Sequence, residues 1–314
     1  MTQTSIEQDL VFSLAASPKF AEDGICFAGR RSGLYRSADG GKLWHPACES
    51  LNLTEPLATT AVAVSPDFPR DQTVFAGVPG GILRSVDGGQ TWHVLLLPEP
   101  PPHITHLAFS PNYSADGTLF AGTLEDGVFL STDRGASWVA WNFGLFDMHI
   151  LCLAVSPNFA ADRTLYVGTE IGIFCSENGG RSWHEITTPA TDPVLSLALS
   201  PGFAGDGMML AGTESRGLYI SENKGDTWLP LGQDSIDGTV NAVILSPEFP
   251  ARPELLVLLS NGILVSADKG QTWQGRASHL NFEQGVLCAL APQGVLAPSP
   301  LLVGTAQDGP TRVV

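Results

Sequence analysis

The sequence predicts an all-β fold, a seven-bladed β-propeller of four-stranded antiparallel blades, and two observations in phase with each other predict it. The motif Ser-x-[Asp/Glu/Asn pair]-Gly-x-[Thr/Ser]-Trp recurs six times. Its tryptophans, Trp44, Trp92, Trp138, Trp183, Trp228 and Trp273, are spaced by 48, 46, 45, 45 and 45 residues, the length of one four-stranded blade. A second element, a strand-like stretch ending in Ser-Pro-x-[Phe/Tyr], recurs in step at Ser17, Ser65, Ser110, Ser156, Ser200 and Ser246. Composition agrees: 15% charged residues with 34 Gly and 23 Pro describe a turn-rich chain rather than a helical one.

Each repeat divides in the same order. In the fourth, residues 153–156 read as an inner strand, 164–169 as a second, 172–176 as a third, followed by the turn motif and an outer strand that begins at the Trp. A seventh Ser-Pro equivalent, Ala291-Pro292, precedes a strand-like run at 301–306, and the chain reaches Val314 before another turn motif. Residues 1–314 therefore read as one propeller domain of six complete repeats and a partial seventh. The outer strand missing from the seventh blade is expected from residues 2–8, which would leave no open edge between first and last blades.

The turn motif is expected to be architectural. Its serine and acid suit hydrogen bonds inside a tight turn, and its glycine allows a positive φ. Catalysis needs one asymmetric constellation, whereas Asp39, Asp87, Asp133 and Asp268 recur, with Asn178 and Asn223 in the same place in the fourth and fifth copies. Each motif Trp is expected to wedge between blades, burying about 150–250 Å².

The six copies, SADGGKLW (37–44), SVDGGQTW (85–92), STDRGASW (131–138), SENGGRSW (176–183), SENKGDTW (221–228) and SADKGQTW (266–273), resemble the Asp-box, or BNR, repeat. That superfamily includes sialidases, xyloglucan-type glycosidases, sortilin receptors and photosystem II assembly factors of the Ycf48 type. The resemblance covers essentially the whole chain and implies the propeller fold. It says little about function, because one propeller architecture carries many activities. Sialidases use a tyrosine paired with a glutamate and three arginines that grip a carboxylate. Here Tyr35, Tyr113, Tyr166 and Tyr219 all occupy repeat positions, and no Arg-Ile-Pro opens the chain.

Charge and motifs narrow the function classes. Acidic residues outnumber basic ones 32 to 16, a net charge of −16, which repels phosphate backbones and anionic membranes; no nucleic-acid partner is expected. No apolar run reaches the roughly 18 residues a membrane span requires. No Lys or Arg precedes the first apolar stretch, so the expected location is cytoplasmic, or secreted if a leader precedes this sequence. The five cysteines, Cys26, Cys48, Cys152, Cys175 and Cys288, are odd in number with no CxxC, and read as buried reduced thiols. His45, His93 and His184 each follow a motif Trp, but on outer strands of different blades, so no metal site is expected of them. No cofactor motif is present.

Function should show where the repeat is broken. The loops between second and third strands and those leading into the next inner strand are expected on one channel face. That face would carry Glu49, Glu55, Glu99, Glu125, Asp126, Asp147, Glu170, Asp192, Glu214, Asp234, Asp237 and Glu283. Basic exceptions are Arg30, Arg31, Arg216 and Arg276, able to bind a carboxylate if they converge. The segment WNFGLFDMHI (141–150) holds the one Trp outside the repeat. Trp141, Phe143 and Phe146, with Asp147, are therefore the candidate contact residues for a protein or glycan partner, or else fill the gap between blades three and four.

Two functions follow. The first is a noncatalytic scaffold that presents its loop face to a partner, with no catalytic residues. The alternative is a glycoside hydrolase using paired carboxylates on the channel face, Asp147 first and Asp192 second. That chemistry needs a separation of about 5–5.5 Å if retaining or about 6.5–9.5 Å if inverting.

Overall fold

The computed structural model describes residues 8–97, 100–187, 191–277, 280, 282, 285–306 and 309–313. Six four-stranded antiparallel sheets and one three-stranded sheet follow one another along the chain. They form seven blades. The strand order within each sheet is sequential, from an inner strand to an outer one. Blade four shows the plan: Cys152–Val155, Leu165–Gly168, Ile173–Ser176 and His184–Glu185.

Strand position dictates composition. The second strands, such as Val74–Val78 and Leu119–Thr123, are buried along their whole length. Each lies sandwiched between neighbouring blades, and so reads as a continuous apolar run rather than an alternation. The seven inner strands, Val11–Ala16, Ala61–Val64, Ile104–Phe109, Cys152–Val155, Val194–Leu199, Val240–Leu245 and Val286–Leu290, line the axis and contain no Asp or Glu. Each touches the next, and the first touches the seventh, so the ring is closed through its centre. The Cys288 thiol donates to the Val11 carbonyl across that junction at 3.5 Å.

The seventh blade has three strands among the described residues, Val286–Leu290, Leu301–Thr305 and Pro310–Val313. Its third strand, at the very end of the chain, was not foreseen from the partial repeat. Of the segment expected to supply the fourth strand, residues 2–7 lie outside the described residues, and Gln8 is not in a strand.

The motif tryptophans sit between blades. Trp92 packs with Phe27 and Leu34 of blade one against Phe68 and Leu83 of blade two, and Trp183 joins Phe120 of blade three to Phe159 of blade four. Trp44 meets Leu302 of blade seven. Burial is uneven: Trp92, Trp138 and Trp183 are 4%, 7% and 5% exposed, whereas Trp44, Trp228 and Trp273 are half-buried. Loop acceptors do not track it, since half-buried Trp228 donates to the Thr187 carbonyl of its preceding connection at 2.8 Å. The Trp92 and Trp183 indoles donate to the Ala47 and Trp141 carbonyls of the preceding connection, each at 2.9 Å, while Trp44 and Trp273 have no such acceptor.

In the turn motif of blade one, Ser37 Oγ donates to Asp39 Oδ1 at 2.8 Å, and the same Oδ1 accepts the N–H groups of Lys42 and Leu43, both at 3.0 Å. The Asn copies keep the geometry and reverse one bond. Asn178 Nδ2 donates to Ser182 Oγ at 2.7 Å, whereas Asp133 Oδ2 accepts from Ser137 Oγ. The second of the two central residues must be Gly: Gly135 has φ +85°, and a Cβ there would stand 2.5 Å from the Phe75 ring.

A second turn completes blades one to five. Each Ser-Pro element opens a one-turn helix, such as Phe20–Asp23 or Phe159–Asp162. The serine donates to an aspartate six residues on, as Ser17 to Asp23 and Ser200 to Asp206, both at 2.6 Å. The sequence reading missed this latch, although the spacing was visible at Asp23, Asp71, Asp116, Asp162 and Asp206. Blade six has Arg252 at that position and pairs it instead with Glu254 at 2.8 Å.

Candidate functional site

The segment 141–150 leaves the outer strand of blade three, Val139–Ala140, and runs as a strap along the outer rim of blade four before turning inward. Phe143 forms a parallel bridge with Ser182, and its carbonyl accepts the Trp183 N–H at 2.8 Å. Gly144 permits this approach. Its φ is +82°, and a Cβ would fall 2.1 Å from the Trp183 carbonyl oxygen. Leu145 and Ile150 are buried in the core between blades three and four, with Trp141 and Met148 packed against it.

The expected aromatic cluster therefore divides. Trp141 fills the gap between blades, in a cleft of about 390 Å³ shared with Phe159, Arg163 and Arg181 on the turn-motif side; Arg181 stacks over its ring at 5.1 Å. Phe143 and Phe146 point to solvent, 81% and 80% exposed. Phe146 makes one edge contact, to Phe174 at 6.3 Å between centroids. The alternating pattern, with Leu145 and Ile150 inward, is what presents the two phenylalanines outward.

Asp147 ends the strap. Although 8% exposed, both of its oxygens are engaged. Oδ1 accepts the His149 N–H at 3.0 Å and lies 3.1 Å from His149 Nδ1, and Oδ2 accepts the Glu170 N–H at 2.9 Å. Burial alone would raise its pKa. The donors from His149, Thr169 and Glu170 outweigh this and hold the carboxyl below the ordinary range.

Asp192 does the same in blade five. Its oxygens accept the Ser215 N–H at 2.7 Å, the Ser215 hydroxyl at 2.9 Å and the Arg216 N–H at 3.1 Å. Here too burial is outweighed by these donors and the pKa is lowered. Asp9 is a third copy, accepting the N–H and hydroxyl of Ser32 at 2.9 and 2.7 Å. In all three blades the aspartate precedes the inner strand and ties down a hairpin 23 residues later. The two carboxylates singled out for catalysis are members of a repeated brace that sequence reasoning missed. Its partners are backbone N–H groups 23 residues on, so no side-chain motif signalled it.

The arginines do not form one cluster. Arg30 pairs with Asp9 and stacks over Tyr35 at 4.3 Å; Arg31, beside it, is also engaged. Arg216 lies in blade five, which does not adjoin blade one. Arg276 is corrected outright. It is buried, its guanidinium donates to the Val295 and Ser299 carbonyls, and burial lowers its pKa. It fastens blade six to the 295–299 connection and is not on a ligand face.

Of the acidic loop residues, Glu49 and Glu55 line a cleft of about 430 Å³ over blade one with Tyr35 and Leu53. Glu125 and Asp126 border another with His103. Glu99 and Glu283 lie outside the described residues. Among the described residues, the inner strands lining the axis carry His106, whose pKa burial lowers to about 4, and no carboxylate. The five cysteines are free, and burial pushes the Cys152 thiol up to about 12, which removes it from thiolate chemistry. Among the described residues, no helix is long and apolar enough to cross a membrane.

Fold and repeat together define a seven-bladed β-propeller. No family model and no curated protein matches the chain. Solved structures do share its fold. YCF48, solved bound to D1 peptide, superposes with a TM-score of 0.71 at 17% identity over 98% of this chain and 94% of its own. YCF48 from Cyanidioschyzon merolae gives 0.69 at 14% over 98% and 96%. An ancestral GH74 enzyme gives 0.74 at 18%, covering 98% of this chain but 46% of that one. The chain thus spans about half the length of the GH74 enzyme.

Proposed function

We propose that this chain is a noncatalytic propeller scaffold that binds a protein partner through the strap on blade four and the acidic loops beside it. One observation carries this reading. The carboxylates best placed for catalysis, Asp147 and Asp192, are spent on backbone N–H groups in a brace that recurs at Asp9. A general acid needs a raised pKa and a free proton to give, and both of these are lowered.

The exposed pair Phe143 and Phe146 supports the location. Aromatic side chains held by a rigid backbone are favoured anchors in protein interfaces. A net charge of −16 favours a partner segment that is basic around its apolar anchors. That YCF48 has been solved with a peptide supports a protein partner on this fold. Glycoside hydrolysis is the second reading, favoured by the fold shared with GH74 enzymes; the absence of Asp and Glu from the seven inner strands weighs against it.

Affinity purification from extract of the source cells, comparing wild type with a Phe143→Ala, Phe146→Ala variant of unchanged melting temperature, tests the reading. A partner held by the wild type and lost by the variant supports it. Equal recovery by both, or hydrolysis of a glycoside by the wild type that Asp147→Asn abolishes, overturns it.

A further inference from the structure

Blade four departs from the other two braces at one position. Where blades one and five place Ser32 and Ser215, each donating its hydroxyl to the bracing aspartate at 2.7 and 2.9 Å, blade four places Glu170. A neutral donor is replaced by a second carboxylate. The strap also brings in His149, so donor atoms of Asp147, His149 and Glu170 all lie within 4.8 Å of one another. Asp147 is buried, His149 half-buried and Glu170 exposed, so the three donors line a path from the brace out to solvent.

We propose that Asp147, His149 and Glu170 form a binding site for a divalent transition-metal ion of the zinc class. Mixed imidazole and carboxylate donors suit zinc and its neighbours rather than calcium, which prefers six to eight oxygens. The His149 Nδ1 contact to Asp147 at 3.1 Å would give way to the ion, and the frame is fixed by two backbone hydrogen bonds that stay. The His149 N–H holds the strap to Asp147 at 3.0 Å, and the Glu170 N–H holds the hairpin to it at 2.9 Å.

Donors in a tetrahedral zinc shell stand about 3.3–3.5 Å apart. Closing from 4.8 Å requires rotation of the Glu170 side chain, which is exposed and free to turn. The imidazole coordinates in its neutral form through one ring nitrogen. Three protein ligands leave a fourth position for water. The motif histidines His45, His93 and His184 take no part, because each lies on the outer strand of a different blade.

Isothermal titration of the full chain with zinc chloride, in buffer free of chelators, tests this site without any partner. The wild type is expected to bind one zinc ion, and His149→Ala and Glu170→Ser are each expected to weaken it about tenfold or more. Glu170→Ser restores the residue that blades one and five carry, so its thermal melt should match the wild type. Absence of saturable one-to-one binding in the wild type overturns the proposal. So does undiminished affinity in both variants, which would place the ion on other residues.

Discussion

Blades four and five brace their hairpins with the same residue and diverge in everything attached to it. In blade five Asp192 takes two N–H groups and a hydroxyl, all from the hairpin it secures, and the brace ends there. In blade four Asp147 takes the Glu170 N–H and the Thr169 side chain from its hairpin and adds the N–H and ring of His149. It sits at the end of a strap whose phenylalanines face water. A constraint met the same way in blades one and five describes the fold. The one met differently in blade four is where the proposed contact site is tested.

Stability should be dominated by what the blades share. Trp183→Ala is expected to cost about 3–5 kcal/mol in denaturant melts, with Trp273→Ala costing clearly less, because Trp273 is half-buried and its indole N–H has no acceptor. Equal losses would break the link between burial and cost. Gly135→Ala forces a left-handed alanine against the Phe75 ring and should cost about 2–4 kcal/mol, whereas Arg134→Ala beside it should change stability far less. Asp192→Ala leaves the Ser215 N–H unsatisfied, while the Arg216 N–H keeps the Thr213 hydroxyl at 3.0 Å, and should cost about 1–3 kcal/mol. Asp147→Ala should lose a similar amount if it is a brace in the same sense.

The fold was legible because it is periodic: motif and Ser-Pro element repeat in step, and the strands fall between them. What the repeat hides is pairing at a distance. Asp147 and Asp192 read as loop acids because their partners are backbone N–H groups 23 residues away, which no side-chain motif announces. Trp141 read as a contact anchor or a filler because it is outside the repeat, and its ring packs against the core between blades three and four. Phe143 and Phe146, for which contact and gap-filling both stood open, are exposed on a strap that buries Leu145 and Ile150. Arg276 could not be read at all, because its acceptors are main-chain carbonyls of blade seven's loop.

The turn motifs predict an acid response. The Thr272 hydroxyl and N–H and the Ser266 hydroxyl hold Asp268 down to about 2, below the unfolded value of about 3.9. A depressed folded pKa contributes stability above pH 4 that disappears as pH falls through the folded value. The melting temperature should therefore stay level down to about pH 4 and fall between about pH 4 and 2. Asp268→Asn, which copies Asn178 and Asn223, should fold and show a shallower fall. The smallest stability effect belongs to the strap: Phe143→Ala and Phe146→Ala should each shift stability by no more than about 0.5 kcal/mol while removing partner binding.

Hydrogen exchange on the chain with and without its captured partner tests the central claim most directly. The strap should gain protection at residues 142–149 together with the hairpin at 169–172, and the six turn motifs should stay unchanged. Protection confined to another surface, such as the blade-one cleft around Glu49–Leu51, with residues 142–149 exchanging as in the free protein, would contradict it.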